Sequence, residues 1–271
     1  MQKKTIDIDK ILESKAPKLN RWLPRFAANY LKKIVHQDEL NDIFCRAQEL
    51  EGKDFTSFII KELGITFTVF GEDKLTESKH TTYISNHPLG GMDGIILLDL
   101  LSHKCGETIA PVNDLLMYID KMRSLFIPIN KFGSQSRENA MTLDRFMQSD
   151  TNVLFFPAGK VSRKQANGDI RDEKWHKTFV SKSREYQRDI VPIYFDGECS
   201  KFFYNLAYYR TKIGLPNIEM LYLADEMFKH RGKHFNIYIG ERISHEELPE
   251  KSDKVWTEFA YNQIYNLKAK Q

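Results

Sequence analysis

The chain has 271 residues, 41% hydrophobic and 12% aromatic, enough to bury a full core and to exclude a disordered, extended or collagen-like protein. Its formal net charge of +3 hides an asymmetry: residues 1–35 carry nine Lys/Arg against Asp7, Asp9 and Glu13, leaving that segment at +6 and the remainder at −3. Cys45, Cys105 and Cys199 form no CxxC pair, which excludes a disulfide framework and a thiolate zinc site and fits a reducing cytosol.

From the start of the chain, Met1-Gln2-Lys3-Lys4 leads into no apolar stretch, so no secretory signal is expected. Pro24 suits the first position of a helix running to Val35. On its wheel Phe26, Ala27, Tyr30, Leu31, Ile34 and Val35 take one half and Arg25, Asn29, Lys32 and Lys33 the other, with Trp22 and Leu23 just before. An apolar face with an aromatic edge and a cationic flank suits the headgroup region of an anionic bilayer; the same pattern also fits an amphipathic helix packed on its own domain. No second basic patch with interleaved aromatics follows, which argues against nucleic acid as a partner.

Gln37–Lys61 reads as one helix from the spacing of Leu40, Ile43, Phe44, Ala47 and Leu50. Strands are predicted at Gly64–Phe70, Thr82–Ser85, Thr108–Val112, Leu125–Ile129, Val153–Phe156, Ile190–Phe195, Ile218–Ala224 and Phe235–Ile239. Helical patterns at Gly94–Ser102, Arg137–Gln148 and Thr178–Arg188 fall between them. The alternation predicts an α/β fold: a single domain with a mixed, largely parallel sheet flanked by helices, plus an N-terminal amphipathic helical segment. The simplest partition is 1–62 as a basic helical docking segment and 63–271 as the catalytic domain. The longest apolar run, Ile95–Leu98 with Leu100-Leu101, is broken by Asp99 and is far short of the roughly 20 residues of a spanning helix.

The chemistry-bearing segment is Ser85-Asn86-His87-Pro88-Leu89-Gly90-Gly91-Met92-Asp93-Gly94, which leaves an apolar strand and enters a helix. Strand ends in α/β folds face a crevice, and a His there with a nearby Asp can form an oriented general base. The same residues also suit a turn-capping His and an ordinary N-cap Asp. His103, His176, His230, His234 and His245 show no metal-ligand spacing, and no P-loop or GxGxxG is present, so neither a metal nor a nucleotide cofactor is expected.

Asn86-His87 followed by Asp93 resembles the first motif of the PlsC-like glycerolipid and lysophospholipid acyltransferases. Lys131-Phe132-Gly133-Ser134-Gln135-Ser136-Arg137 resembles their second block, and Phe156-Pro157-Ala158-Gly159-Lys160-Val161-Ser162-Arg163 resembles their third, a Phe-Pro-Glu-Gly-Thr-Arg-Ser loop. Val191-Pro192-Ile193 resembles their fourth. The four blocks stand in the family's order over residues 80–200. Two departures stand out. Five residues separate His87 from Asp93 where the family has four, and Ala158 and Lys160 replace the family's Glu and Thr. The form Asn-His-Pro-Leu-Gly-Gly-Met-Asp-Gly with Phe-Pro-Ala-Gly is similar to a bacterial, hemolysin-like branch of lyso-amino-acid-lipid (ornithine and glycine lipid) O-acyltransferases.

The resemblance implies His87 and Asp93 as the catalytic pair and Asn86, Arg137, Gly159, Lys160 and Arg163 as substrate-binding candidates. It implies an acyl-ACP or acyl-CoA donor and a lyso-lipid acceptor, on the cytoplasmic face of the inner membrane. A lyso-amino-acid lipid is the favoured acceptor, with lysophosphatidate the alternative. A non-catalytic lipid-binding protein on the same fold is the competing class, which the retained His–Asp pair argues against.

Overall fold

The computed structural model describes residues 6–15, 17–113, 116–117, 119–129 and 135–270. The chain opens with α1 (Ile8–Lys15), α2 (Pro17–Trp22), α3 (Arg25–Ile34), α4 (Gln37–Arg46) and α5 (Gly52–Glu62). Then come β1 (Thr66–Phe70), β2 (Thr81–Ser85), α6 (Met92–Lys104), β3 (Thr108–Asn113), β4 (Phe126–Ile129), α7 (Gln135–Gln148) and β5 (Asn152–Phe155). A short ribbon, β6 (Arg163–Lys164) with β7 (Ile170–Arg171), precedes α8 (Thr178–Glu185) and β8 (Asp189–Asp196). The rest is α9 (Lys201–Lys212), α10 (Leu223–Lys229), β9 (His234–Ile239) and α11 (Asp253–Leu267).

The main sheet has seven strands in the order β1-β9-β8-β2-β5-β3-β4. All neighbours run parallel except β8 and β9, which are antiparallel, so the expected mixed, largely parallel sheet is present. β2 lies between β8 and β5, with Ile84 opposite Pro192 on one side and Phe155 on the other. All five of its residues are buried, as a central parallel strand covered on both faces requires. Ile84, Val153, Ile109 and Ile190 pack in one core with Leu143 and Met147 of α7, Phe179 and Val180 of α8, and Trp256, Ala260 and Ile264 of α11.

Pro192 sits in an interior strand without disrupting it. The β8–β9 ladder opens between the Ile190–Ile243 bridge and the Ile193–Ile239 pair. The missing N–H falls in that gap, while the Pro192 carbonyl still accepts from the Gly240 N–H at 2.8 Å.

The chain forms two compact units: residues 1–50 with 199–231, and 51–198 with 232–271. The second holds the sheet and the first, third and fourth blocks. The first is helical. The 62/63 boundary drawn from the sequence coincides with neither unit, because α5 belongs with the sheet and α9 and α10 belong with α1–α4.

Two element assignments change. Gln37–Lys61 is two helices rather than one, interrupted at residues 47–51, where Gln48 takes φ 43°. Ile218–Ala224 is no strand: Ile218–Tyr222 is a 3-10 turn that runs into α10. Glu219 within it is fully buried and accepts both Nε and Nη2 of Arg210 at 2.9 Å. That bidentate charged pair holds the segment against α9 and overrides its β-branched, aromatic composition.

Candidate active site

The site forms at the carboxyl end of β2. One position beyond the strand, Asn86 continues the ladder with its side chain: its Oδ1 accepts from Phe195 N–H at 2.7 Å and its Nδ2 donates to Phe195 O at 2.9 Å. The amide thereby satisfies the last groups of β8 that β2 is too short to reach, and fixes where the next residue, His87, leaves the sheet.

His87 Nδ1 donates to Asp93 Oδ2 at 3.0 Å. Asp93 is fully buried and the His87 side chain is 17% exposed. The five-residue separation therefore keeps the contact. Gly90 takes φ 70°, which lets the turn close, and the Leu89 N–H donates to the same Asp93 Oδ2 at 3.0 Å. Asp93 lies in the first turn of α6, where the helix dipole favours a negative charge, and its Oδ1 accepts from Gly94 N–H at 2.9 Å. Burial alone pushes the Asp93 carboxyl up. The His87 charge and hydrogen bond, with the Leu89 and Gly94 N–H groups, outweigh it and hold the pKa below the ordinary carboxylate value. For His87 burial pulls downward, but Asp93 and the nearby Asp172 charge lift the net pKa above the ordinary value, against an opposing charge on Arg163. An ionised Asp93 fixes the proton on Nδ1 and leaves Nε2 as the basic nitrogen.

The third block packs directly on the first. The Ser162 N–H donates to His87 O at 2.8 Å, and the Phe156 ring lies 4.2 Å from the imidazole, centroid to centroid. Phe156-Pro157-Ala158-Gly159 is a tight turn closed by Gly159 N–H to Phe156 O at 2.9 Å, with Gly159 at φ 62°. The Gly159 N–H is thus used within the turn. Lys160 is paired with Glu173. Arg163 is largely buried and donates from Nη1 to Val161 O at 2.8 Å and Ser162 O at 3.3 Å. Ala158, Lys160, Gln165, Glu173, Lys174 and His176 line a cleft of about 510 Å³. Of the second block, residues 131–134 lie outside the described residues, and Arg137 is described only as backbone of α7.

The sequence reading missed Asp172. It is buried, and its Oδ1 accepts from His87 N–H at 3.2 Å and from Ser162 Oγ at 2.5 Å, while Oδ2 accepts from Trp175 Nε1 at 2.9 Å. The hydroxyl of Tyr265 accepts from its N–H at 2.7 Å and that of Tyr261 donates to its carbonyl at 3.0 Å. Burial raises its pKa despite the three donors. Within Arg171-Asp172-Glu173-Lys174 it reads as a solvated charge run, and only the buried Trp175 three residues on hints otherwise.

An oriented, partly accessible imidazole backed by a buried carboxylate has the geometry a general base requires. Residues 10–271 match the family model described as Acyltransferase. This chain belongs to the acyltransferase family. It is an enzyme, an O-acyltransferase, as the four blocks implied. It is 44% identical over 265 residues to the lyso-glycine lipid O-acyltransferase of Phocaeicola vulgatus, covering 97% of this chain and 95% of that protein. It is 43% identical over 265 residues to the lyso-glycine lipid O-acyltransferase of Bacteroides thetaiotaomicron, covering 97% of each. Among solved structures, the 1-acyl-sn-glycerophosphate (LPA) acyltransferase PlsC of Thermotoga maritima aligns at a TM-score of 0.47 and 13% identity, over 89% of this chain and 95% of that one.

Proposed function

We propose that this acyltransferase moves a fatty acyl group from an acyl thioester, acyl-ACP or acyl-CoA, to the hydroxyl of a one-chain membrane lipid, and that the acceptor is a lyso-amino-acid lipid of the lyso-glycine type. His87 Nε2 takes the proton of the acceptor hydroxyl as its oxygen attacks the thioester carbonyl. The imidazolium, stabilised by Asp93, then returns that proton to the departing thiolate, so the new ester forms as the thioester breaks. Asp172 and Asn86 fix the backbone around His87 and Phe156 packs on its ring; Arg163, Arg137 and Lys160 are the candidates for the acidic groups of acceptor and donor. Ala158 supports the acceptor assignment, since a small buried residue stands where glycerolipid relatives place a carboxylate.

The enzyme docks as a peripheral protein on the cytoplasmic leaflet of the inner membrane through the segment ending in α3. Among the described residues no helix is long and apolar enough to cross a membrane, and Trp22 and Phe26 are 83% and 76% exposed. Lys32, by contrast, donates to Asp9 at 2.6 Å, while Arg25 and Lys33 are the exposed cations among the described residues of α3.

The 3.0 Å His87–Asp93 contact carries the catalytic part of the reading. The test is His87→Ala with an acyl thioester and lyso-glycine lipid, the product followed by mass spectrometry. Loss of turnover by about 10²–10⁴-fold is expected for a missing general base, with Tm and vesicle binding close to the parent. A variant that keeps more than a tenth of parental turnover overturns the assignment.

A further inference from the structure

Residues 199–231 return to the first unit and bring with them a second amphipathic face. On α9 and its C-cap, Phe202, Leu206, Tyr209 and Ile213 fall within about 60° of one another at 3.6 residues per turn, while Phe203, Tyr204 and Ala207 on the opposite side are buried. Tyr209 is 62% and Ile213 71% exposed, and Phe202 is also open. Lys201 and Lys212 border the stripe, with the Lys212 ammonium 4.4 Å over the Tyr208 ring. The loop and 3-10 turn beyond α9 add exposed Leu215, Met220 and Leu221.

This face is continuous with that of α3. Within the unit, the hydroxyls of Tyr30 and Tyr222 are 2.9 Å apart, and the Phe202 ring meets Tyr222 edge-on at 4.9 Å between centroids. Tyr222 thus joins the exposed aromatics of α3 to those of α9. So many large apolar side chains left in water mark an interaction surface. Its composition selects the occupant. Trp and Tyr beside Ile, Leu and Met, rimmed by Arg25, Lys33, Lys201 and Lys212, match the interfacial zone of an anionic bilayer.

We propose that α9 and the 3-10 turn after it form, with α3, one two-segment surface that lies in the headgroup region of an anionic membrane. The proposal rests on the reading that α3 docks on a membrane, and extends that docking to a segment nearly two hundred residues further along the chain.

The test uses the full chain and flotation with vesicles of phosphatidylethanolamine and phosphatidylglycerol. Tyr209→Ser with Ile213→Ser should weaken partitioning about tenfold or more, the loss expected when two large side chains no longer leave water, and raised salt should not restore it. Ile213→Leu should partition like the parent. Tm should hold in both, because these side chains are solvated already. If Phe26→Ser loses vesicle binding while the Tyr209/Ile213 double variant keeps it, the two-segment surface is overturned and docking by α3 alone survives. Parental binding by both overturns both readings. A double variant that binds vesicles normally but loses affinity for purified acyl carrier protein also overturns the proposal, in favour of a protein-docking face.

Discussion

Replacing Asp93 with Asn tests the imidazole geometry with almost no change of shape. Asp93 Oδ2 now accepts from both His87 Nδ1 and Leu89 N–H at 3.0 Å, and Oδ1 accepts from Gly94 N–H at 2.9 Å. An Asn that keeps its carbonyl toward Gly94 turns an NH2 on two donors. The imidazole can relieve this only by moving its proton to Nε2, which removes the base from the side that faces the acceptor. The equivalent amide replacement in serine proteases costs about 10⁴ in turnover for the same tautomeric reason, or about 5 kcal/mol at 1.36 kcal/mol per decade. The Leu89 N–H loses its acceptor in a buried position, which costs about 1–3 kcal/mol of stability. Turnover measured by product mass spectrometry should fall about 10⁴-fold while Tm falls by several degrees.

The pH dependence of that reaction carries a second signature. The reactive form is neutral His87, whose pKa lies above its ordinary value because Asp93 overcomes the effect of burial. In the parent, kcat/KM should therefore rise with pH through an inflection above about 6.5. Without the carboxylate, burial acts unopposed by its largest counterweight and the residual activity should inflect at lower pH. An Asp93→Asn enzyme within tenfold of the parent, or one with an unmoved inflection, refutes the oriented-base argument.

Two further outcomes follow. Asp172→Asn keeps one oxygen for His87 N–H and Ser162 but turns a donor on Trp175 Nε1, so folding stability should fall by the cost of one buried unsatisfied group, about 1–3 kcal/mol, read as a lower Tm. Since the Asp172 charge also lifts His87, the pH inflection should move down, and a variant that loses stability without that movement has only a structural Asp172. On the first unit, Arg25→Glu with Lys33→Glu should weaken flotation with anionic vesicles at least tenfold, at about 1 kcal/mol per charge near such a surface, and leave binding to neutral vesicles unchanged. Equal losses on both refute electrostatic docking.

The alternation of strand and helix was readable because β2, β5 and the centre of β8 are buried and so appear as short runs of apolar, β-branched and aromatic residues. The first block was readable for a related reason. An Asn, His and Asp next to paired glycines cannot be absorbed into such a run, so they mark the strand end. Sequence failed where a tertiary partner decides the local structure. Ile218–Tyr222 is apolar and aromatic like a short strand but is held by the Arg210–Glu219 pair. In α9 the strand preference of Phe and Tyr masks the helical spacing of Phe202, Leu206, Tyr209 and Ile213, while Ser200 caps the helix through Phe203 N–H and Glu226 holds Ser200 in turn. Asp172 was invisible because its partners other than Trp175, namely Ser162, His87, Tyr261 and Tyr265, lie 10, 85, 89 and 93 residues away.

The two carboxylates near His87 have opposite fates, and the difference follows from what faces them. Asp93 sits at a helix start with two backbone N–H groups and an imidazole, an arrangement that keeps it charged even when wholly buried. Asp172 lies outside any helix start, among Trp175, Tyr261 and Tyr265, and its pKa rises. In the proposed mechanism the proton of the acceptor alcohol goes to the imidazole, since Asp93 is held charged and Asp172 touches His87 only through its backbone N–H. The charge of Asp93 and the side-chain amide of Asn86 do separable work. One sets the basicity of the ring and the other its place at the end of the sheet, so an Asn86→Ala substitution should lower turnover by loosening the His87–Asp93 contact rather than by removing a charge.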